Sequence, residues 1–190
     1  MDDLTFLALA ARDGDRAALE RFVRTSQPDV WRLCAYLGDP HRADDLTQDT
    51  FVRAIGALPA FRGESAARTW LLSIARRACA DEVRRAQRRR RLLTRLTAMQ
   101  GPDEEPADHT IDLDDMVRAL PATRRDAFVL TQLLGMSYEE AAQICCCPVG
   151  TIRSRVSRAR TELMAATAVP VEETDRRPGG GGADALRDPS

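Results

Sequence analysis

Residues 135–160 read GMSYEEAAQICCCPVGTIRSRVSRAR. Three cysteines stand in a row, Pro148 follows, and arginine then recurs every two or three residues. The run is either a chemical site or a turn made of cysteine, and the choice decides the fold around it. Ser137 is followed three residues later by Glu140, the spacing of a capping box, so a helix starts there. Ala141, Ala142 and Ile144 give that helix a small apolar side. Pro148 cannot sit inside a helix but is tolerated near the start of the next one. Residues 145–148 are therefore a short break. Two helices joined by so short a turn cross steeply, which is the helix-turn-helix arrangement.

The second helix carries its own pattern. Val149, Ile152, Val156, Ala159 and Leu163 recur at steps of 3 and 4, one apolar stripe at ~100° per residue. Opposite the stripe lie Gly150, Thr151, Ser154, Ser157 and Arg158, flanked by Arg153 and Arg155. Small residues allow close approach to a major groove, and arginine bonds a guanine edge or a phosphate. A solvated face on an ordinary amphipathic helix is the competing reading. The capping box, short turn and proline favour DNA. Adjacent cysteines cannot easily aim three thiolates at one ion, since zinc sites usually separate their sulfurs, as in C-x2-C. His41 and His109 have no ligand spacing to the run, and no metal site is expected. Vicinal cysteines close a strained ring if oxidised. The expected turn has Cys145 facing inward as a small hydrophobe. Cys146 takes the left-handed position that usually belongs to glycine, at a cost on the order of 1 kcal/mol.

Composition bounds the rest. The chain has 190 residues, 44% apolar and 5% aromatic, enough for one or two small helical domains. No apolar run approaches the ~20 residues of a membrane span. The acidic start, MDDLTFLALAARDGD, is wrong for a secretory signal, so a cytoplasmic location is expected. Five cysteines in such a chain are most simply free thiols. Net charge is −1, and every basic residue is arginine, the better phosphate and guanine ligand.

Residues 1–92 read as helix after helix. Residues 93–112 lose the pattern, with Gly101, Pro102 and Pro106 among acids, as in a linker. Periodicity returns over 113–168, and 169–190 is a low-complexity tail expected to be disordered. The predicted fold class is all-α, two small helical domains joined by a flexible tether.

Three stretches in the first domain carry candidate chemistry. In 43–58, Leu46, Thr50, Ala54, Ala57 and Leu58 share one side, with Phe51 at its edge. Asp44, Asp45, Gln48, Asp49 and Val52 share the other. An acidic face with one apolar residue suits a basic partner helix, and plain solvation explains it as well. In 61–77, Phe61, Arg62, Arg68, Trp70, Arg76 and Arg77 interleave rings with cations, which suits unstacked single-stranded bases. Trp70 is equally readable as core. Residues 84–95 hold seven arginines (84, 85, 88, 89, 90, 91 and 95) and no acid, best read as phosphate neutralisation. Trp31 and Tyr36, on an apolar helix, are expected in the core.

Together these residues resemble the extracytoplasmic-function group of the sigma-70 family. GMSYEEAAQICCCPVGTIRSRVSRAR resembles its promoter-binding region 4, ADDLTQDTFVRAI (43–55) its polymerase-binding helix, and FRGESAARTWLLSIARRACADEVRR (61–85) its promoter-melting segment. The wording is similar to the actinobacterial sigma factor C subgroup. The resemblance implies a sigma factor that directs RNA polymerase core to promoters, not an enzyme, with no cofactor. It implies docking on the β′ clamp helices through Asp45, Gln48, Asp49, Phe51, Val52 and Arg53, and a further contact with the β flap. It implies capture of a flipped minus-10 base by the loop from Phe61 to Arg68, with Arg62, Ser65 and Trp70. Arg76, Arg77, Arg84 and Arg85 would continue that surface. Many family members carry an aromatic residue before the Arg68-Thr69-Trp70 triplet, whereas Ala67 stands here, implying a shallower pocket. Tyr138, Glu139, Thr151, Arg153, Ser154, Ser157 and Arg158 would face the minus-35 duplex. An anti-sigma factor is a partner the family admits, though nothing in the sequence identifies one. The rivals are a helix-turn-helix regulator that never binds polymerase core and a thiol sensor built on Cys145 to Cys147.

Overall fold

The computed structural model describes residues 2–96 and 113–167, and among them every regular element is helical. Local capping sets the first helices. Asp2 Oδ1 accepts the Thr5 amide at 2.9 Å and opens α1 (Asp3–Arg12). Asp15 Oδ1 accepts the Ala17 and Ala18 amides at 2.9 and 3.0 Å and opens α2 (Arg16–Leu37). Side-chain caps of this kind satisfy amides that no helical carbonyl can reach. α2 stops at Gly38, where an added Cβ would lie 2.4 Å from Leu46 Cδ1. Glycine there lets α3 (Ala43–Ala57) close against α2 and α4 (Ala67–Leu96). Phe22, Leu33, Leu71 and Leu72 are almost wholly buried between these helices. Each contributes roughly 1.5–3 kcal/mol by leaving water.

The second unit holds α5 (Leu113–Ala119), α6 (Ala122–Phe128), a π-helical turn at Val129–Leu133, α7 (Tyr138–Cys145) and α8 (Val149–Thr167). Val117, Ala127, Leu130, Ile152 and Val156 form its interior. The two units are packed together: α4 lies on α7, and α2 touches α5 and α6. Polar ties cross the seam. Arg76 Nε is 2.6 Å from Asp126 Oδ2. Arg68 Nη2 donates to the Leu134 carbonyl at 2.6 Å. Tyr36 Oη donates to Asp114 Oδ1 at 2.6 Å, and the Arg118 guanidinium sits 5.4 Å from the Tyr36 ring centre.

Two expectations need correction. Trp31 is not core: it is 45% exposed, because it falls on the outer side of α2. Tyr36 is only partly buried, and its hydroxyl belongs to the seam between units. Burial and then the Asp114 hydrogen bond raise the pKa of that hydroxyl. α4 also runs to Leu96, four residues past the expected boundary at 92. The rest of the expected linker, 97–112, and the expected tail, 169–190, lie outside the described residues.

Candidate nucleic-acid and polymerase interfaces

The cysteine run is a turn. Ser137 Oγ accepts the Glu140 amide at 3.1 Å, and Glu140 Oε2 accepts the Ser137 amide at 2.9 Å, so the capping box is complete. α7 ends at Cys146, whose φ of 51° and ψ of 49° are left-handed; it is the only non-glycine with positive φ among the described residues. Cys145 is buried, and burial pushes its thiol up to about 12. A thiol held that high is a poor nucleophile at neutral pH. All five cysteines are free, and no metal-holding group of three or more His, Cys, Asp or Glu occurs among the described residues.

α8 buries Ile152, Val156, Ala159 and Leu163 and leaves its other side in water. Arg153, Ser154, Ser157 and Arg158 are exposed there, and Thr151 is partly exposed. Arg155, a flanking residue in the sequence, turns back instead, with Nη1 3.6 Å from Cys147 Sγ. At the start of α7, Glu139 is exposed and Tyr138 is partly buried against the core.

The minus-10 candidates are divided. Phe61 is only 4% exposed and shows little of its ring to a base, because most of the ring packs into the core from a loop. It backs Trp70 instead, with ring centres 4.8 Å apart at 39°. Trp70, partly exposed, lines an open pocket of about 310 Å³ with Ala60, Phe61, Arg62, Glu64 and Ser65. Ala67 is fully buried at the start of α4, where its amide donates to Thr5 Oγ1 at 2.9 Å, so it adds nothing to that pocket. Arg68 is held by Asp29 at 2.8 Å and by the Leu134 carbonyl. Arg76 is held by Asp126. Burial opposes the charge of Arg76, but Asp126 more than offsets it, so its pKa is raised. Arg77 and Arg85 are exposed, and Arg84 pairs with Asp81 at 2.5 Å. Arg88, Arg90 and Arg91 extend the exposed cationic run along α4.

On α3, Asp44, Asp45, Gln48 and Val52 are exposed and Asp49 is partly so. Two expected contacts point elsewhere. Phe51 is buried in the core, because its position at the edge of the apolar stripe meets α2 and α4. Arg53 reaches inward to Asp81 at 2.9 Å and sideways to Asp49 at 2.8 Å. The hydrogen bonds from Arg53 and Arg84 hold the Asp81 carboxyl below its ordinary value. Ile55, exposed at 43%, was missed by the sequence reading, although the spacing from Val52 signals it. No helix among the described residues is long and apolar enough to cross a membrane.

Comparison with known proteins agrees with this geometry. Residues 22–89 match the Sigma-70 region 2 family, and residues 110–163 match Sigma-70, region 4. The chain is 49% identical over 166 residues to the ECF RNA polymerase sigma factor SigC of Mycobacterium tuberculosis, covering 85% of this chain and 90% of that one. Among solved structures it resembles CnrH, in complex with the cytosolic domain of CnrY, at a TM-score of 0.67 and 28% identity. That match covers 87% of this chain and 97% of CnrH. It also resembles the sigma factor RpoE of Bartonella quintana, in complex with the anti-sigma factor NepR. There the TM-score is 0.63 and the identity 30%, over 79% of this chain and 96% of RpoE. Helical units, turn, recognition face and relatives all lead to one assignment: the chain belongs to the sigma-70 family as an extracytoplasmic-function sigma factor, which brings RNA polymerase core to promoter DNA.

Proposed function

We propose that this sigma factor divides promoter recognition among three surfaces. The exposed side of α3, with Asp45, Gln48, Asp49 and Val52, docks on the β′ clamp helices, and the region 4 unit meets the β flap. Arg153, Ser154, Ser157 and Arg158 of α8 read the minus-35 duplex, with Thr151 close to the backbone. The α7 start, Tyr138 and Glu139, lies beside the adjoining phosphates. The pocket of Arg62, Ser65 and Trp70 takes an unstacked minus-10 base, and Arg77, Arg84 and Arg85 follow the strand.

The observation that carries the reading is the hydroxyl and guanidinium face of α8, open to water opposite a fully buried stripe. Arg68 and Arg76 reach DNA only after region 4 leaves α4, so the free chain is the resting form and polymerase binding opens it. Strand opening draws on binding to unpaired bases, and sigma factors as a class are not enzymes. The chain itself performs no chemistry and works beside the chromosome, in the cytoplasm. By likeness to the RpoE–NepR pair, an anti-sigma factor is a partner in this scheme. Run-off transcription with core enzyme tests it: the chain plus core is expected to initiate on family-type promoters. Silence on all of them, beside an active control sigma factor, would contradict it.

A further inference from the structure

Trp31 stands half in water on α2, and its indole Nε1 donates to Asp44 Oδ1 at 2.9 Å. The bond fixes the ring, so the exposed indole is held in one orientation before any partner arrives. Asp44 opens the outer side of α3. At ~100° per residue, Asp44, Gln48, Val52 and Ile55 fall within one quarter of the helix circumference. Val52 is 71% exposed and Ile55 43%. Trp31 therefore stands at the head of an apolar row that runs down the same side as the acids. From Asp44 to Ile55 the helix rises about 16 Å, three turns.

The acids are less free than the sequence suggests. Asp45 lies 3.7 Å from Arg42 and Asp49 lies 2.8 Å from Arg53, whereas Asp44 accepts the uncharged indole N–H and keeps its charge. Exposed charges that already have partners add little further attraction. Affinity for a basic partner then depends more on apolar surface, and tryptophan is the residue most often found at the energetic centre of an interface.

We propose that Trp31 is the apolar anchor of the polymerase-docking surface. Its ring seats against an apolar side chain of a basic helix in core polymerase, and its N–H holds Asp44 ready for a cation of that helix. The proposal rests on α3 as the docking side and extends it onto α2.

The test is equilibrium binding of the full chain to purified core RNA polymerase. Trp31→Ala is expected to weaken binding about 30-fold. Trp31→Phe, which keeps a ring and loses the N–H, is expected to recover to within about threefold of wild type. Trp31→Arg, which water solvates and a basic partner repels, is expected to bind no better than Trp31→Ala. Because Trp31→Arg leaves the core untouched, it answers the question even if Trp31→Ala unfolds. Unchanged binding by Trp31→Arg would overturn the proposal. An Asp45→Arg/Asp49→Arg variant separates the two readings. If it fails to bind while the Trp31 variants bind normally, α3 stands and the anchor falls. If all bind normally, both fall.

Discussion

Helices α8 and α4 each carry arginines that we propose for DNA contact, and they hold them differently. On α8, Arg153 and Arg158 project into water with Ser154 and Ser157 between them. On α4, Arg68 and Arg76 are fastened to the other unit, one to the Leu134 carbonyl and one to Asp126. Asp126 is 8% exposed, an unusual place for a carboxylate without a cation beside it. On the proposed roles, the minus-35 face is open in the closed chain, whereas the minus-10 face has Arg62, Trp70, Arg77 and Arg85 accessible and gains Arg68 and Arg76 only when the units part. Further along α4 the contrast ends, because Arg77 and Arg85 are exposed like those of α8.

The comparison breaks most visibly at α8. Replacing both Arg153 and Arg158 with alanine should cost about 1–3 kcal/mol for each base contact removed. Minus-35 duplex binding by fluorescence anisotropy should fall on the order of 100-fold, while binding of a minus-10 single strand stays unchanged. Equal loss for both ligands would mean that the two faces are not separate.

On α4 the exposed arginines should act through phosphate charge alone. For single strands the log–log salt slope is about 0.7 for each phosphate neutralised. Arg77→Ala with Arg85→Ala should therefore flatten the slope for the minus-10 strand by about 1.4. An unchanged slope would remove these two residues from the strand path.

The smaller effects concern what holds the open face in place. Ser137→Ala removes the capping box and should destabilise the chain by about 1 kcal/mol in urea unfolding. Cys146→Gly relieves a left-handed non-glycine residue and should stabilise it by up to about 1 kcal/mol, with minus-35 binding intact. A marked loss of binding in Cys146→Gly would return a chemical role to the cysteine run.

How much of this was legible in the sequence follows from range. The helix-turn-helix was readable because its determinants are local: Ser137 with Glu140, Pro148, and the stripe through Ile152 and Val156. Cys146 could be assigned its left-handed place from the length of the turn alone. The burial of Phe51, Phe61 and Trp31 is not legible in the sequence, because an aromatic residue at the edge of a stripe or in a loop goes in or out according to which helix packs beside it. Phe51 and Phe61 meet neighbours and are buried; Trp31, hydrogen-bonded to Asp44, stays half in water. The seam between the units was invisible for a stronger reason. Arg76 finds Asp126 fifty residues away, and Arg68 finds the Leu134 carbonyl sixty-six residues away. An arginine in a basic run gives no sign of which carboxylate will claim it, and both were read as free DNA ligands.

The most direct measurement is the affinity of the full chain for a minus-10 single strand and for a minus-35 duplex, each with and without Asp126→Ala. Removing one partner of a fully buried ion pair costs about 3–5 kcal/mol, and this pair, partly open to water, should cost about 1–3. That loss falls on the closed form. Asp126→Ala is expected to bind the single strand about tenfold more tightly or better, while its duplex affinity stays the same. An unchanged single-strand affinity, in a variant shown by calorimetry to have a weakened seam, would contradict the claim that region 4 withholds Arg68 and Arg76 from the strand.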